Sequence, residues 1–157
     1  MVENNQSDIS IEVFNNLSKD YNLIPVFKIL DKGKKTPVSV YKNLGNHSNT
    51  FLLESVEGNK DFARYSFIGF NPNQIIKTGD NEEFKKVDPL SKLEKELENI
   101  RTPKLENLPE FSSGAVGFIS YEAVSYFEPS VKKIDGQTSY FPESIFFITS
   151  SLIIFDN

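Results

Sequence analysis

The chain of 157 residues contains no cysteine, no tryptophan, one methionine and one histidine. The absence of cysteine excludes disulfide bonds and thiolate metal sites. The single histidine, His47, has no second histidine with which to share a metal ion, and no buried carboxylate motif accompanies it as a general-base partner. It lies in a segment rich in Asn, Gly and Ser, so we predict an ordinary exposed residue.

Long apolar runs and an excess of basic residues are also absent. No run of apolar residues approaches the length of a membrane-spanning helix, and the polar first ten residues lack the pattern of a signal peptide. Lys and Arg number 17 against 22 Asp and Glu, which gives a net charge of −5. Without a basic stripe the chain has little with which to neutralise nucleic-acid phosphates. We therefore predict a cytoplasmic protein that binds neither membranes nor nucleic acids.

The hydrophobic pattern predicts an α+β fold, with a mostly antiparallel sheet and a few helices. Residues 1–10 are predicted to be a disordered tail and residues 11–157 a single domain. Helices are predicted for Ile11–Asp20, for Thr36 to about Gly45–Asn46, for Asp88–Ile100 with its apolar residues Leu90, Leu93, Leu97 and Ile100, and around Glu122–Tyr126. Strands are predicted for Ile24–Leu30, Thr50–Leu53, Arg64–Gly69, Gln74–Thr78, Ala115–Ile119, Ser144–Thr149 and Ser151–Phe155. The segment Val131–Tyr140 is predicted to be a polar loop.

The last two apolar runs adjoin with almost no residues for a turn. They are predicted to form either one long strand with a bulge at Ser150–Ser151 or a tight hairpin. The sequence ends two residues after the apolar run Leu152–Phe155. Because a free-standing domain rarely ends on an apolar strand without a polar tail, the sequence predicts a fragment of a larger protein.

No catalytic motif is recognisable in the chain. Gly114-Ala115-Val116-Gly117 contains only two glycines and opens a strand, whereas a dinucleotide-binding motif follows a strand and opens a helix. The two glycines are instead predicted to permit close packing against a neighbouring strand. Glu122 and Glu128 are six residues apart, on different helical faces, and do not form an acid–base pair. We predict no catalytic residue and no metal ligand.

One group of polar residues does suggest ligand binding. Glu54 and Ser55 end one predicted strand, a turn is predicted at Glu57-Gly58-Asn59, and Arg64 begins the next strand. A carboxylate can bind an ammonium group, while a guanidinium and a hydroxyl can bind a carboxylate, so the trio could hold a zwitterion. From these residues alone, an ordinary hairpin rim with Arg64 in a surface ion pair is the favoured interpretation.

Several segments resemble a known family, in the expected order along nearly the whole chain. Leu52–Gly58 (LLESVEG) followed by Arg64–Gly69 (RYSFIG) resembles the N-terminal region of anthranilate synthase component I, a chorismate-utilising family. The family's T-P-V-x-x-Y and F-x-G-G-A-V-G-Y-x-x-Y-D patterns are similar to Thr36–Tyr41 and Phe111–Glu122, and further similarity covers Tyr126–Pro129 and Leu152–Asp156. Departures from the family pattern occur at Ser113, Glu122 and Ser125.

The resemblance implies the N-terminal part of a larger α/β sandwich, truncated before the chorismate-binding catalytic domain. The full enzyme of this family converts chorismate and glutamine-derived ammonia to anthranilate and pyruvate, the first step of tryptophan biosynthesis. The chain itself would then hold no cofactor and be inactive alone, because Mg²⁺ and the catalytic groups belong to the missing C-terminal portion. That portion and a glutamine amidotransferase subunit, component II, are the implied protein partners.

The resemblance also implies half of a feedback site for L-tryptophan. Carried over by position, Glu54 would bind the ammonium group, Ser55 would contact the polar end of the ligand, Arg64 would pair with the carboxylate, and Leu53 would contact the indole. Two alternatives remain open: aminodeoxychorismate synthase component I of the folate pathway, which shares the fold, and a non-catalytic amino-acid-binding module.

Overall fold

The computed structural model describes residues 9–45, 47–54, 64–131 and 141–157. The helices are α1 (Ile11–Leu17), α2 (Pro37–Asn43), α3 (Pro89–Leu97) and α4 (Val124–Phe127), the last preceded by a 3₁₀ turn, Tyr121–Ala123. The strands are β1 (Phe51–Leu53), β2 (Tyr65–Phe70), β3 (Gln74–Thr78), β4 (Gly114–Ile119), β5 (Ser144–Thr149) and β6 (Ser151–Asp156). The predicted α+β class and antiparallel pairing are confirmed. The turn predicted at 57–59, most of the predicted tail and the loop predicted beyond Val131 lie outside the described residues.

The strands form two three-stranded antiparallel sheets within the described part of the chain. The strand order is β1-β2-β6 in the first sheet and β3-β5-β4 in the second. The chain passes from one sheet to the other twice, between β2 and β3 and between β5 and β6. These two passages lie side by side, so the sheets share a corner at which paired strands change sheet together.

The strand pairing at this corner distinguishes between the two structures predicted for the last two apolar runs, the long strand with a bulge and the tight hairpin. The hairpin is wrong, because β5 pairs with β3 and β4 whereas β6 pairs with β2. The chain instead continues from β5 into β6 through a bend at Ser150. The last pair of the first sheet here is Phe70↔Ser151, and the first pair of the second sheet is Gln74↔Ile148. Between these pairs, three residues (71–73) on one segment lie opposite two residues (149–150) on the other. The extra residue is therefore on the 71–73 segment, opposite the predicted bulge. Asn71, at φ 47°, supplies the tight conformation there.

The strand predicted for Ile24–Leu30 is wrong. Only Lys28 makes a single bridge, and the rest of the segment is irregular. Pro25 lacks the N–H that a ladder requires, and the side chains of Val26, Ile29 and Leu30 are 65%, 68% and 70% exposed. Because three of its apolar side chains are mostly exposed, the segment gains little free energy from burial that could hold it in a sheet.

Helix α3 covers the second sheet. Leu93 and Leu97 pack against a buried cluster made by Ile76, Phe146 and Ile148. The four-residue spacing of the two leucines, recognised in the sequence, is what brings both to that sheet face. Leu90 and Ile100, predicted to join the same stripe, are instead 46% and 37% exposed. The helix ends at Leu97, which leaves Ile100 beyond its last turn.

We expect the substitution Asp88→Ala to lower the free energy of unfolding by about 1 kcal/mol, the usual effect of losing an N-cap. Asp88 accepts a hydrogen bond from the Leu90 amide at 2.9 Å and another from the Ser91 hydroxyl at 2.8 Å. Ser10→Ala is the matched control, because Ser10 caps α1, a helix without buried residues. Urea denaturation checks the difference. Equal losses for the two substitutions would contradict the importance of α3 for the core.

Candidate functional site

A small cleft lies at the end of the β1–β2 hairpin. Its volume is about 470 Å³, and its lining residues are Leu52, Leu53, Glu54, Tyr65 and Phe67. Leu53 pairs directly with Phe67 across the two strands, and Tyr65 lies two residues before Phe67 on the same strand face. The pairing register therefore places an aliphatic and two aromatic side chains together along a shallow cleft that is open to solvent.

The aromatic side chains that line the cleft contact each other and a third aromatic ring. The rings of Tyr65 and Phe67 lie 6.2 Å apart, and Phe111 meets Phe67 edge-to-face at 5.3 Å. Such tilted contacts between rings are favourable. On the opposite strand face, Ser66 and Ile68 are buried in the interior, which fixes the orientation of β2. The cleft thus has a firm apolar wall beside the exposed carboxylate of Glu54.

A guanidinium group lies at the same end of the sheet. Arg64 donates from Nε to Asp156 Oδ1 and from Nη2 to Asp156 Oδ2, both at 2.6 Å. The guanidinium also lies over the Tyr65 ring, 4.9 Å from its centroid. The hydrogen bonds and the charge of Asp156 raise the pKa of Arg64, and the hydrogen bonds from Arg64 lower the pKa of Asp156. Both groups stay charged near neutral pH, although water screens the pair because both side chains are half exposed.

The predicted site residues are partly brought together. Leu53 and Glu54 line the cleft, and Arg64 reaches it through its contact with Tyr65. Ser55 lies outside the described residues. The surface ion pair considered for Arg64 is present, and its partner is Asp156. Asp156, Tyr65 and Phe67 were not identified from the sequence, although the apolar run that precedes Asp156 was a signal that this end of the chain pairs with another strand.

The remaining candidates from the sequence include His47 and Glu128, both among the described residues. No group of three or more metal-ligating side chains occurs among residues 9–45, 47–54, 64–131 and 141–157. His47 is exposed, as predicted. Glu128 accepts hydrogen bonds from the backbone and hydroxyl of Ser130, which lower its pKa and indicate a turn-capping role. Within the same ranges no helix is long and apolar enough to span a membrane.

The chain is similar to curated proteins that share one name. It is 39% identical over 137 residues to probable anthranilate synthase component 1 of Schizosaccharomyces pombe, a match that covers 87% of this chain and 27% of the relative. It is 38% identical to anthranilate synthase component 1 of Saccharomyces cerevisiae, over 87% of this chain and 28% of the relative. For the protein of that name from Acetivibrio thermocellus, the identity is 33% over 90% of this chain and 30% of the relative.

A solved structure is also similar to this chain. It is the crystal structure of anthranilate synthase component I from Streptococcus pneumoniae TIGR4, with 26% identity over 83% of this chain and 29% of that chain, and a TM-score of 0.47. No family model matches the sequence. The chain therefore spans between a quarter and a third of the length of the three relatives compared.

Proposed function

Because this chain belongs to the anthranilate synthase component I family, over a stretch that makes up 27–30% of the relatives compared, we propose that it is the N-terminal regulatory and structural portion of such an enzyme. In this proposal the complete enzyme converts chorismate and glutamine-derived ammonia to anthranilate and pyruvate. The C-terminal portion supplies the catalytic groups and the ligands for Mg²⁺, and a glutamine amidotransferase, component II, supplies the ammonia. Residues 11–157 form the domain that precedes the catalytic portion.

The regulatory part of the proposal depends on one observation, the cleft at the β1–β2 hairpin. Its lining combines apolar and aromatic side chains with a carboxylate, and a guanidinium stacks on one of its walls. An aromatic amino acid has complementary chemistry: an apolar ring, an ammonium group and a carboxylate. We place L-tryptophan there as feedback inhibitor, with its indole against Leu53, Tyr65 and Phe67.

The polar groups of the ligand then have defined partners. Glu54 follows β1 directly, so its carboxylate is at the rim where the ammonium group would lie. Arg64 would bind the carboxylate of tryptophan through N–H donors that Asp156 does not use. Ser55, the next residue after Glu54, would contact the polar end. The chain thus supplies part of the effector site, and the C-terminal portion completes it.

A chimera tests the proposed function. We expect Saccharomyces cerevisiae component 1, with its matching region replaced by this chain, to form anthranilate from chorismate, ammonium and Mg²⁺ and to be inhibited by tryptophan. The isolated chain is expected to form none, because no general base or metal site is predicted in it. Anthranilate fluorescence measures both reactions.

The outcomes of this assay are distinct. Anthranilate formation by the isolated chain, in proportion to its concentration, would contradict the assignment of the catalytic groups to the C-terminal portion. If the folded chimera is active but is not inhibited by tryptophan, the proposed regulatory role of this chain is wrong and only the proposed structural role remains.

A further inference from the structure

The position of the Arg64 side chain does not follow from strand alternation. On β2, Tyr65 and Phe67 face the cleft, whereas Ser66 and Ile68 face the interior and are 1% and 0% exposed. If this alternation is continued back by one residue, the side chain of Arg64 leaves the backbone on the face of Ser66. Its guanidinium nevertheless lies over the Tyr65 ring. Some contact must therefore hold it on the cleft side.

Asp156 makes that contact. It is the register partner of Tyr65 in the pairing of β2 with β6, so its side chain projects from the same sheet face as Tyr65. Its two oxygens receive the hydrogen bonds from Nε and Nη2 of Arg64. The fork fixes the plane as well as the position of the guanidinium, because both bonds lie along one edge of the group. The backbone of β6 is tied to the same place, since the Asn157 amide donates to the Arg64 carbonyl at 2.9 Å.

The fork with Asp156 leaves a second edge of the guanidinium for a ligand. Arg has five N–H donors, and Asp156 engages one on Nε and one on Nη2. The remaining edge, formed by Nη1 and the second Nη2 hydrogen, has no hydrogen-bond partner among the described residues. Two parallel donors on one edge are the geometry that binds a carboxylate with both oxygens.

The local charge does not oppose an anion after the ion pair has formed. Asp156 offsets one positive charge, but the charge of Lys32 lowers the pKa of Asp156 further. Arg64 and Lys32 then balance the charges of Asp156 and of Glu54, which lines the cleft. A carboxylate approaching Arg64 therefore meets no excess of negative charge from these four groups.

We propose that Asp156 is the positioning residue of the effector site, which holds the guanidinium of Arg64 over Tyr65 with its second edge turned to the ligand carboxylate. This inference rests on the proposed function, because it assigns to Arg64 the carboxylate of tryptophan. Asp156 itself does not touch the ligand. Its contribution to binding therefore exists only while Arg64 is present.

A double-mutant cycle on the intact protein, titrated calorimetrically with L-tryptophan, tests the proposal. We expect Asp156→Ala to weaken binding about tenfold, as the loss of one well-placed charge-assisted contact does. Asp156→Glu should restore part of the affinity, because it again offers a carboxylate to Arg64. In an Arg64→Ala background, Asp156→Ala should have no further effect. A purely structural role would add the same loss in both backgrounds.

Two controls separate the possible failures. Asp80→Ala removes another exposed ion pair, that with Lys86, and should leave tryptophan affinity unchanged. Tryptophan methyl ester lacks the carboxylate, so its affinity should not respond to Asp156→Ala. If Asp156→Ala binds tryptophan like the wild type while Arg64→Ala does not, the positioning role is wrong and the proposed function stands. If the wild-type protein does not bind tryptophan, the proposed function fails and the positioning role with it.

Discussion

The substitution Gly117→Ala is expected to lower the free energy of unfolding by roughly 2–3 kcal/mol, the upper range for forcing extra atoms into a packed site. A Cβ at this position would lie 1.9 Å from the carbonyl oxygen of Ile145 and 2.8 Å from Cα of Phe146. Both atoms belong to the backbone of β5, the central strand of its sheet, which is bonded to β3 and β4 on its two sides. No flexible side chain can move aside, so the sheet itself must distort.

Gly33→Ala is the control for this prediction. Gly33 has φ 53°, a conformation that costs an alanine about 1–2 kcal/mol, but no atom within 4 Å of the added Cβ. At Gly117 the situation is reversed, because its φ is acceptable for alanine but the backbone of β5 leaves no space for a Cβ atom. Urea denaturation of both variants separates strain from steric overlap. A smaller loss for Gly117→Ala than for Gly33→Ala would contradict the close approach of β4 and β5.

The second large effect concerns regulation. If the complete enzyme is inhibited by tryptophan as proposed, Ser55→Phe is expected to raise the inhibitory tryptophan concentration by more than about tenfold, with uninhibited turnover largely unchanged. Ser55 directly follows Glu54, which lines the cleft. In the proposed function Ser55 contacts the polar end of tryptophan, so a bulky ring in its place is expected to interfere with the ligand. The expected effect is confined to inhibition because the proposed function assigns the catalytic groups to the C-terminal portion.

A matched variant distinguishes the site from a general surface effect. Ser18→Phe adds the same ring to an exposed serine at the end of α1, and normal inhibition is expected. Arg64→Ala should weaken inhibition on the order of tenfold, through loss of a charge-assisted hydrogen bond to the carboxylate. Anthranilate fluorescence over a range of tryptophan concentrations gives all three values. Normal inhibition in both Ser55→Phe and Arg64→Ala would show that the effector binds elsewhere.

Most of the fold was predictable because its signals are local. The proline at the start of α3, its cap Asp88 and the spacing of Leu93 and Leu97 together define that helix from a few neighbouring residues. Ser10 and Thr36 mark the starts of α1 and α2 in the same way. Each strand of the two sheets was recognised from its β-branched and aromatic residues.

The corner between the sheets was not predictable from local signals. The runs on either side of Ser150 are equally β-prone, and nothing in them indicates that they pair with different partners. That choice depends on β2 and β3, whose paired residues are between 66 (Thr78 and Ser144) and 91 (Tyr65 and Asp156) residues earlier in the chain. The exposure of Ile29 and Leu30 was equally hidden, since an apolar pattern alone does not say whether a surface exists to cover it.

The candidate site shows the same division. Glu54 and Arg64 were predicted from the ends of two neighbouring strands, and Leu53 from the family resemblance; their role in ligand binding stays a prediction. Asp156 could not be predicted, because 92 residues separate it from Arg64 and their contact exists only through the pairing of β2 with β6. Sequence analysis thus finds the residues that one hairpin brings together, and the structure adds those that a distant strand supplies.

Hydrogen–deuterium exchange of the intact protein, with and without L-tryptophan, tests the central claim most directly. If the hairpin forms part of the effector site, tryptophan should slow exchange at the amides of β1, β2 and the residues between them. The amides of α1, which lies outside the site, should be unaffected and serve as the internal reference. Protection confined to other segments at saturating tryptophan, with the hairpin unchanged, would contradict the account.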